Sequence, residues 1–203
     1  MPRRIIGFIG DIGSGKTTAA NYLEQKYKFT HYAFATPLKK IGEIFGFTKN
    51  QLYGTQEEKL EINKYHGISG REFMEKFGTD IGRIAIAKII PTMSQIWVRL
   101  FEIFAEENKT DIVVGDVRFP NEADAIERFG GILIKIVRPD QDTKKLRKDS
   151  KSESAKTEIT THATIVNNGQ LDDFYKCIEH VVDTYNTIVL ENIYVQNNIK
   201  IIH

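Results

Sequence analysis

The sequence predicts an α/β protein, a parallel sheet sandwiched by helices, and three observations carry that prediction. Short apolar, β-branched runs alternate with segments of helical periodicity along most of the chain, as in strands joined by crossover helices. The first run meets the first helix through a glycine-rich bend, GDIGSGKT. Strand candidates end in polar residues, Asp11, Asp116 and Asn167, and in a parallel sheet such ends share the edge where ligands bind.

RRIIGFIG reads as a buried strand, and GKTTAANYLEQKY as the helix after it, with Ala19, Ala20, Leu23 and Tyr27 on one face. HYAFA is a second short strand, followed by the helix TPLKKIGEIFG, whose Pro37 suits a first turn. Residues 47–67 are polar and irregular, with a short helix near QEEKLEI. SGREFMEKFG is helical, with capping-box spacing at Ser69 and Glu72 and a stop at Gly78. DIGRIAIAKII and SQIWVRLFEIFAEE are two further helices divided at Pro91. DIVVGD is the clearest strand, PNEADAIERFGG a helix with a glycine stop, and ILIKIVRP a strand again. Periodicity is lost from Arg138 to His162, a stretch with seven basic and five acidic residues and so locally +2. ATIVNN reads as a last core strand, and a helix from Leu171 places Phe174, Ile178, Val181 and Tyr185 in register. The tail IYVQNNIKIIH fits a strand or a helical extension.

The chain has 203 residues, 41% hydrophobic and 27% charged, the profile of a soluble globular protein. A net charge of +1 argues against a partner that is a nucleic-acid polymer. No apolar run approaches the ~18 residues of a membrane span. The N-terminal apolar run is cut short by Gly7, Gly10 and Asp11 and no small-residue cleavage site follows, so it does not read as a secretion signal. The single cysteine, Cys177, has no intramolecular disulfide partner and reads as a plain core residue; no Cys/His spacing suggests zinc. A reducing, cytoplasmic compartment is the expectation, and a homodimer is compatible with the sequence.

GDIGSGKT satisfies the phosphate-loop pattern with Gly10, Gly15, Lys16 and Thr17. Glycines let successive backbone N–H groups turn inward and form an anion nest, which the following helix N-terminus reinforces. Lys16 is placed to reach the terminal phosphates, and the Thr17 hydroxyl to hold Mg²⁺. Asp11, Gly13, Ser14, Gly15, Lys16, Thr17 and Thr18 are the candidate ATP-binding residues of the loop. Asp116, at the end of a buried strand, suits a magnesium ligand when paired with the phosphate loop; alone, such an aspartate is more often a helix cap or an ion-pair partner.

Phosphate loops serve motors, GTPase switches and small-molecule kinases. No N-K-x-D motif argues for guanine, and the length leaves little room for motor accessories. A kinase needs extra cations for two phosphate groups and a cover that excludes water. Arg71, Arg83 and Arg118 offer the cations, although Arg83 fits a surface ion pair equally. The segment from Arg138 to His162 offers the cover, with Arg147 its best phosphate-binding candidate, since guanidinium matches phosphate in a fork.

The blocks GDIGSGKTT, FATPLKK, GREFMEKFGTDIGR, IWVRLF, VVGDVRFPNEADAIERFGGILIKIVRP and ATIVNNGQLDDF resemble, in their order, phage- and virus-type deoxynucleoside monophosphate kinases. The resemblance runs from about Ile5 to Val182. It implies one phosphate-loop kinase domain over residues 1–203, with a helical acceptor-binding region at about 36–105 and a lid at about 138–162. It implies transfer of the ATP γ-phosphate to a dNMP, with Mg²⁺. By position, Lys16, Asp116 and Arg118 would be catalytic, and Thr17 and Asp116 would hold the metal. Arg71, Thr79 and Asp80 would face the acceptor, with Lys39, Arg83 and Trp97 completing that set, and Arg138 and Asn168 would lie near the adenine. Thr17 stands where many relatives carry aspartate, and the lid offers only SES, with Glu153, where relatives have a histidine-containing block. Two other readings remain. A phosphomevalonate-type kinase would need no base pocket, and a non-catalytic ATP switch would leave the arginines without a common purpose.

Overall fold

The computed structural model describes residues 3–139 and 159–189. Five parallel strands, β1 (Ile5–Ile9), β2 (Thr30–Tyr32), β3 (Ile112–Val114), β4 (Ile132–Val137) and β5 (Ala163–Val166), lie in the order β2-β3-β1-β4-β5. The central strand β1 is buried along its whole length. Because side chains alternate across a strand, its two faces meet different partners. Ile6 and Phe8 join a cluster with Ala19, Ala20 and Leu23 of α1 (Lys16–Tyr27) and Phe174 and Ile178 of α8 (Leu171–Asp183). Gly7 faces the other way, where a Cβ would come within 2.8 Å of Ile126 Cδ1 on α7 (Pro120–Arg128). The sheet is therefore covered on both faces, as the alternating pattern predicts.

Register puts every strand's carboxyl end on one edge. Gly7 pairs with Val114, Ile9 with Lys135, and Val137 with Val166. The residues that follow (Asp11, Asp116, Arg138 and Asn167) leave the sheet on the same side. The order places β1, whose connection runs toward β2, beside β4, whose connection runs toward β5, which is the reversal point where such sheets bind ligands.

Two clasps hold α8 on this sheet. Tyr22 of α1 stacks on Tyr175 with ring centroids 3.9 Å apart, and Tyr22 and Lys26 both donate to the Glu179 carboxylate. Beyond the helix end, the buried Tyr185 hydroxyl accepts the Ile5 N–H (3.0 Å) and donates to the Gly130 carbonyl (2.7 Å). Cys177 departs from the expectation of a core residue, for it is exposed. The buried stripe is Phe174, Ile178, Val181 and Val182, and Cys177 falls on its flank. β5 also differs from a core strand: it is an edge strand with Thr164 and Val166 outward and Ile165 buried.

The chain divides into two compact units, one formed by residues up to Ala33 and from Ala105 onward, the other by Phe34–Phe104. The second unit contains α2 (Ala35–Ile44), α3 (Lys49–Tyr53), a 3-10 turn at Glu58–Leu60, α4 (Gly70–Glu75), a π-helical stretch at Lys76–Ala85, α5 (Ile86–Ile89), another 3-10 turn at Pro91–Met93 and most of α6 (Ile96–Glu107). HYAFA supplies only two residues of β2, His31 and Tyr32, because Phe34 already caps α2. α3 forms where no regular helix is expected, and its sequence signal is a capping box: the Thr48 hydroxyl accepts the Gln51 N–H while Gln51 Oε1 accepts the Thr48 N–H.

Gly78 does not stop a helix. It is buried without a left-handed φ, and the helix widens around it into the π-helical stretch, where the Ile86 N–H bonds the Ile81 carbonyl five residues back. The Trp97 indole N–H donates to the Gly78 carbonyl at 2.9 Å, and a Cβ on Gly82 would lie 2.5 Å from Trp97 Cζ2. A side chain inserted against the backbone ladder is a recognised cause of such departures. The lid expected at 138–162, with Arg147 and Glu153, lies mostly outside the described residues, as does the tail from residue 190.

Candidate active site

The loop between β1 and α1 is shaped by its glycines. Gly10, Gly13 and Gly15 have φ of 154°, 80° and 113°, conformations that L side chains rarely adopt. The Asp11 carbonyl organises the turn, accepting the Ser14 N–H at 3.2 Å and the Lys16 ammonium at 2.6 Å. Ser14 is 1% exposed, and its hydroxyl has no hydrogen-bond partner among the described residues. Gly13, Gly15, Lys16, Thr17 and Thr18 line a cleft of about 320 Å³ with Arg138, Asn167, Gly169, Leu171 and Phe174. Six candidates scattered from Gly13 to Arg138 thus share one cavity. Asn168 is not among its lining residues, whereas its neighbour Asn167 is. Phe174 escapes sequence reading as a site residue because its helical register already explains it as core.

These residues fit a polyphosphate: three glycines hold the loop in positive-φ conformations, an orphaned hydroxyl lies in the loop, and Lys16 stands beside it. They also fit Mg²⁺ as a shared ion. Thr17 is exposed in the first turn of α1, and Asp116 is half-buried just past β3. Among the described residues no group of three or more His, Cys, Asp or Glu could hold a metal. A cation at Thr17 and Asp116 would therefore take its remaining ligands from phosphate and water, as magnesium commonly does.

Asp116 and Arg118 are not part of the cleft lining. They sit on the β3–α7 connection, which Glu122 shapes. That carboxylate is 2% exposed and accepts the N–H groups of Arg118 (2.8 Å) and Phe119 (3.2 Å). The acidic character of this corner is felt by Tyr32. Burial first, then the charges of Asp116 and Glu122, push its phenol above the usual tyrosine pKa.

The acceptor candidates Lys39, Arg71, Thr79, Asp80, Arg83 and Trp97 all fall in the unit Phe34–Phe104. Arg71 stands in the first turn of α4, which starts where the Ser69 hydroxyl accepts the Glu72 N–H at 3.1 Å. α4 presses closely on α3, since a Cβ on Gly70 would lie 2.1 Å from the Gln51 carbonyl. A buried pair secures the connection between them: Asn63 donates to the Gly46 carbonyl (3.0 Å) and to Gln51 Oε1 (3.1 Å). Arg71 donates from one guanidinium nitrogen to the Gln56 side chain, while its Nε is buried without a partner among the described residues. Gln56 had no signal in the sequence. Lys39 lies 4.6 Å from the Tyr53 ring centre, a cation–π contact. Thr79, Asp80 and Arg83 ride on the π-helical stretch, a geometry frequent at functional sites. Trp97 is 5% exposed, with its N–H spent on Gly78 and its ring seated against Gly82. Its place is beneath that stretch, as a support.

The strand order, the glycine loop between β1 and α1 and the flanking helices define a phosphate-loop kinase fold. Shikimate kinase from Aquifex aeolicus shares it, with a TM-score of 0.51 at 15% identity over 90% of this chain and 98% of that one. A Thermus thermophilus structure matches with the same score at 16% identity over 90% and 98% of the two chains. Within that class the chain belongs to the deoxynucleotide monophosphate kinase family, whose model matches residues 43–178. A protein of Acanthamoeba polyphaga mimivirus with the same kinase designation is 36% identical over 193 residues, covering 88% of this chain and 96% of its own. No helix among the described residues is long and apolar enough to cross a membrane.

Proposed function

We propose that the protein transfers the γ-phosphoryl group of ATP to the phosphate of a deoxynucleoside monophosphate, giving dNDP and ADP. The observation that carries this reading is the phosphate cradle and its adjoining cleft, found in a chain of the deoxynucleotide monophosphate kinase family. An oxygen of the acceptor phosphate attacks the γ-phosphorus, a P–O bond forms, and the bond to the β,γ-bridging oxygen breaks to release ADP. Such a reaction asks the protein for positioning and charge stabilisation rather than covalent participation.

Backbone N–H groups of Gly13, Gly15 and Lys16 hold the donor phosphates, and the Lys16 ammonium exchanges the Asp11 carbonyl for a phosphate oxygen. Arg138 and the Gly169–Phe174 wall of the cleft receive the adenosine. Thr17 and Asp116 would hold Mg²⁺, which would screen the charge on the donor phosphates. Arg118 supplies a cation close to Asp116 in sequence. In the other unit Arg71, steadied by Gln56, binds the acceptor phosphate, with Lys39 and Arg83 as further cations and Thr79 and Asp80 as hydrogen-bonding groups. Trp97 maintains the segment that carries three of these residues.

The test is incubation with Mg·ATP and, separately, each common dNMP and NMP, with diphosphate formation as the readout. Conversion of at least one dNMP is expected; failure with all of them contradicts the proposal.

A further inference from the structure

Asn167 makes a contact that sheet pairing does not require. Its backbone N–H already extends the β4–β5 ladder by donating to the Val137 carbonyl at 2.7 Å. The side chain goes elsewhere: Nδ2 donates to the carbonyl of Ser14, in the phosphate loop, at 2.8 Å. It does so at close quarters, for a Cβ on Gly15 would lie 2.7 Å from Asn167 Nδ2 and 3.2 Å from Phe174 Cζ. Asn167 and Phe174 together back the loop.

The consequence follows from peptide geometry. The Ser14 carbonyl and the Gly15 N–H belong to one peptide plane, and that peptide bond is trans, so the two point in opposite directions. A carbonyl held against Asn167 directs the Gly15 N–H away from it. Glycine visits both halves of backbone space readily, so the loop's own residues do not fix this plane. We propose that Asn167 is a positioning residue of the phosphate site, presetting the Ser14–Gly15 peptide for a nucleoside polyphosphate. The inference rests on the reading of the cleft as the ATP site. It differs from a direct role for Asn167 in contacting the base, which its place in the cleft lining would otherwise suggest.

The two roles separate in binding experiments. ADP and adenosine are titrated calorimetrically into the wild type, Asn167→Ala and the isosteric Asn167→Asp, which keeps the size but cannot donate to Ser14. Loss of a hydrogen bond that orients a phosphate ligand should weaken ADP by about tenfold in Asn167→Ala, with adenosine within about twofold of wild type. Asn167→Asp should lose more ADP affinity, since it adds a carboxylate behind the loop. Melting without ligand identifies a variant that fails to fold, and the other variant then carries the comparison. Wild-type ADP affinity in a folded variant overturns the proposal, and equal losses of ADP and adenosine assign Asn167 to the base instead. A wild type that binds no ADP refutes the ATP-site reading itself, a separate result.

Discussion

The phosphate loop and the π-helical stretch Lys76–Ala85 both depend on glycine, for opposite reasons. Gly13 and Gly15 are needed for what their own backbone does, with φ of 80° and 113°. Gly78 and Gly82 have no positive φ and are needed for what others do in the space they vacate. Leu38 Cδ2 would lie 2.8 Å from a Cβ on Gly78, and Trp97 Cζ2 2.5 Å from one on Gly82. In the proposed function the first use makes a ligand site, whereas the second makes a support for one. Substitutions in the two regions should therefore fail differently.

The largest effect is expected for Lys16→Ala. Lys16 is the ammonium of the nest, and its bond to the Asp11 carbonyl is exposed. Turnover should fall by about 10²–10³-fold or more, while circular dichroism stays native-like. Near wild-type turnover would reduce the loop to a structural turn. Arg71→Ala should come next. Losing a partner of a desolvated phosphate costs about 2–5 kcal/mol, and at ~1.36 kcal/mol per decade acceptor kcat/KM drops at least tenfold. ATP affinity should hardly change; equal weakening of both substrates would move Arg71 to the donor side.

Paired glycine substitutions sharpen the contrast further. Gly82→Ala overpacks Trp97 and should cost about 1–3 kcal/mol of stability, read as a lower denaturation midpoint with a raised acceptor KM and unchanged ADP binding. Gly15→Ala combines backbone strain with a clash against Asn167, and should abolish ADP binding. If both variants lost ADP binding equally, the division of labour between the regions would fail.

The same contrast explains how much could be read without coordinates. A glycine needed for its own dihedrals sits inside a local pattern, so GDIGSGKT announced the loop and its place between strand and helix. Strand ends were legible for the same reason: Asp11, Asp116 and Asn167 each follow a short apolar run. A glycine needed by a distant side chain leaves no local mark. Gly78 looked like a helix stop because nothing nearby in sequence names Leu38 or Trp97. Gln56 beside Arg71, Asn167 beside Ser14 and Phe174 behind Gly15 are likewise long-range contacts. Cys177 misled because apolar neighbours sit on both faces of a stripe's edge. α3 could have been found, since Thr48 and Gln51 carry its capping box.

The smallest expected effect concerns stability alone. His162, at the base of β5, is largely buried; its Nδ1 accepts the Leu133 N–H at 3.0 Å and its Nε2 lies 3.6 Å from Glu127 Oε1. Burial holds its pKa below the ordinary imidazole value. The unfolded chain therefore takes up this proton first, so its contribution is complete above about pH 6.5 and is lost as pH falls toward the lower folded value. Glu127, raised by burial and by Asp124, works in the opposite sense at lower pH. Melting temperature should decline on acidification below about pH 6.5, and His162→Gln should show a shallower decline. An unchanged slope would place the titration elsewhere.

The most direct test of the central claim follows the fate of the γ-phosphate. The protein is mixed with Mg·ATP labelled in that phosphate, with and without a panel of deoxynucleoside monophosphates, and the products are separated. The account predicts that label moves into a deoxynucleoside diphosphate only when its monophosphate is present, and that Arg71→Ala slows this transfer while binding ATP normally. Label that stays in ATP, or is released as inorganic phosphate at the same rate whichever monophosphate is added, would contradict it.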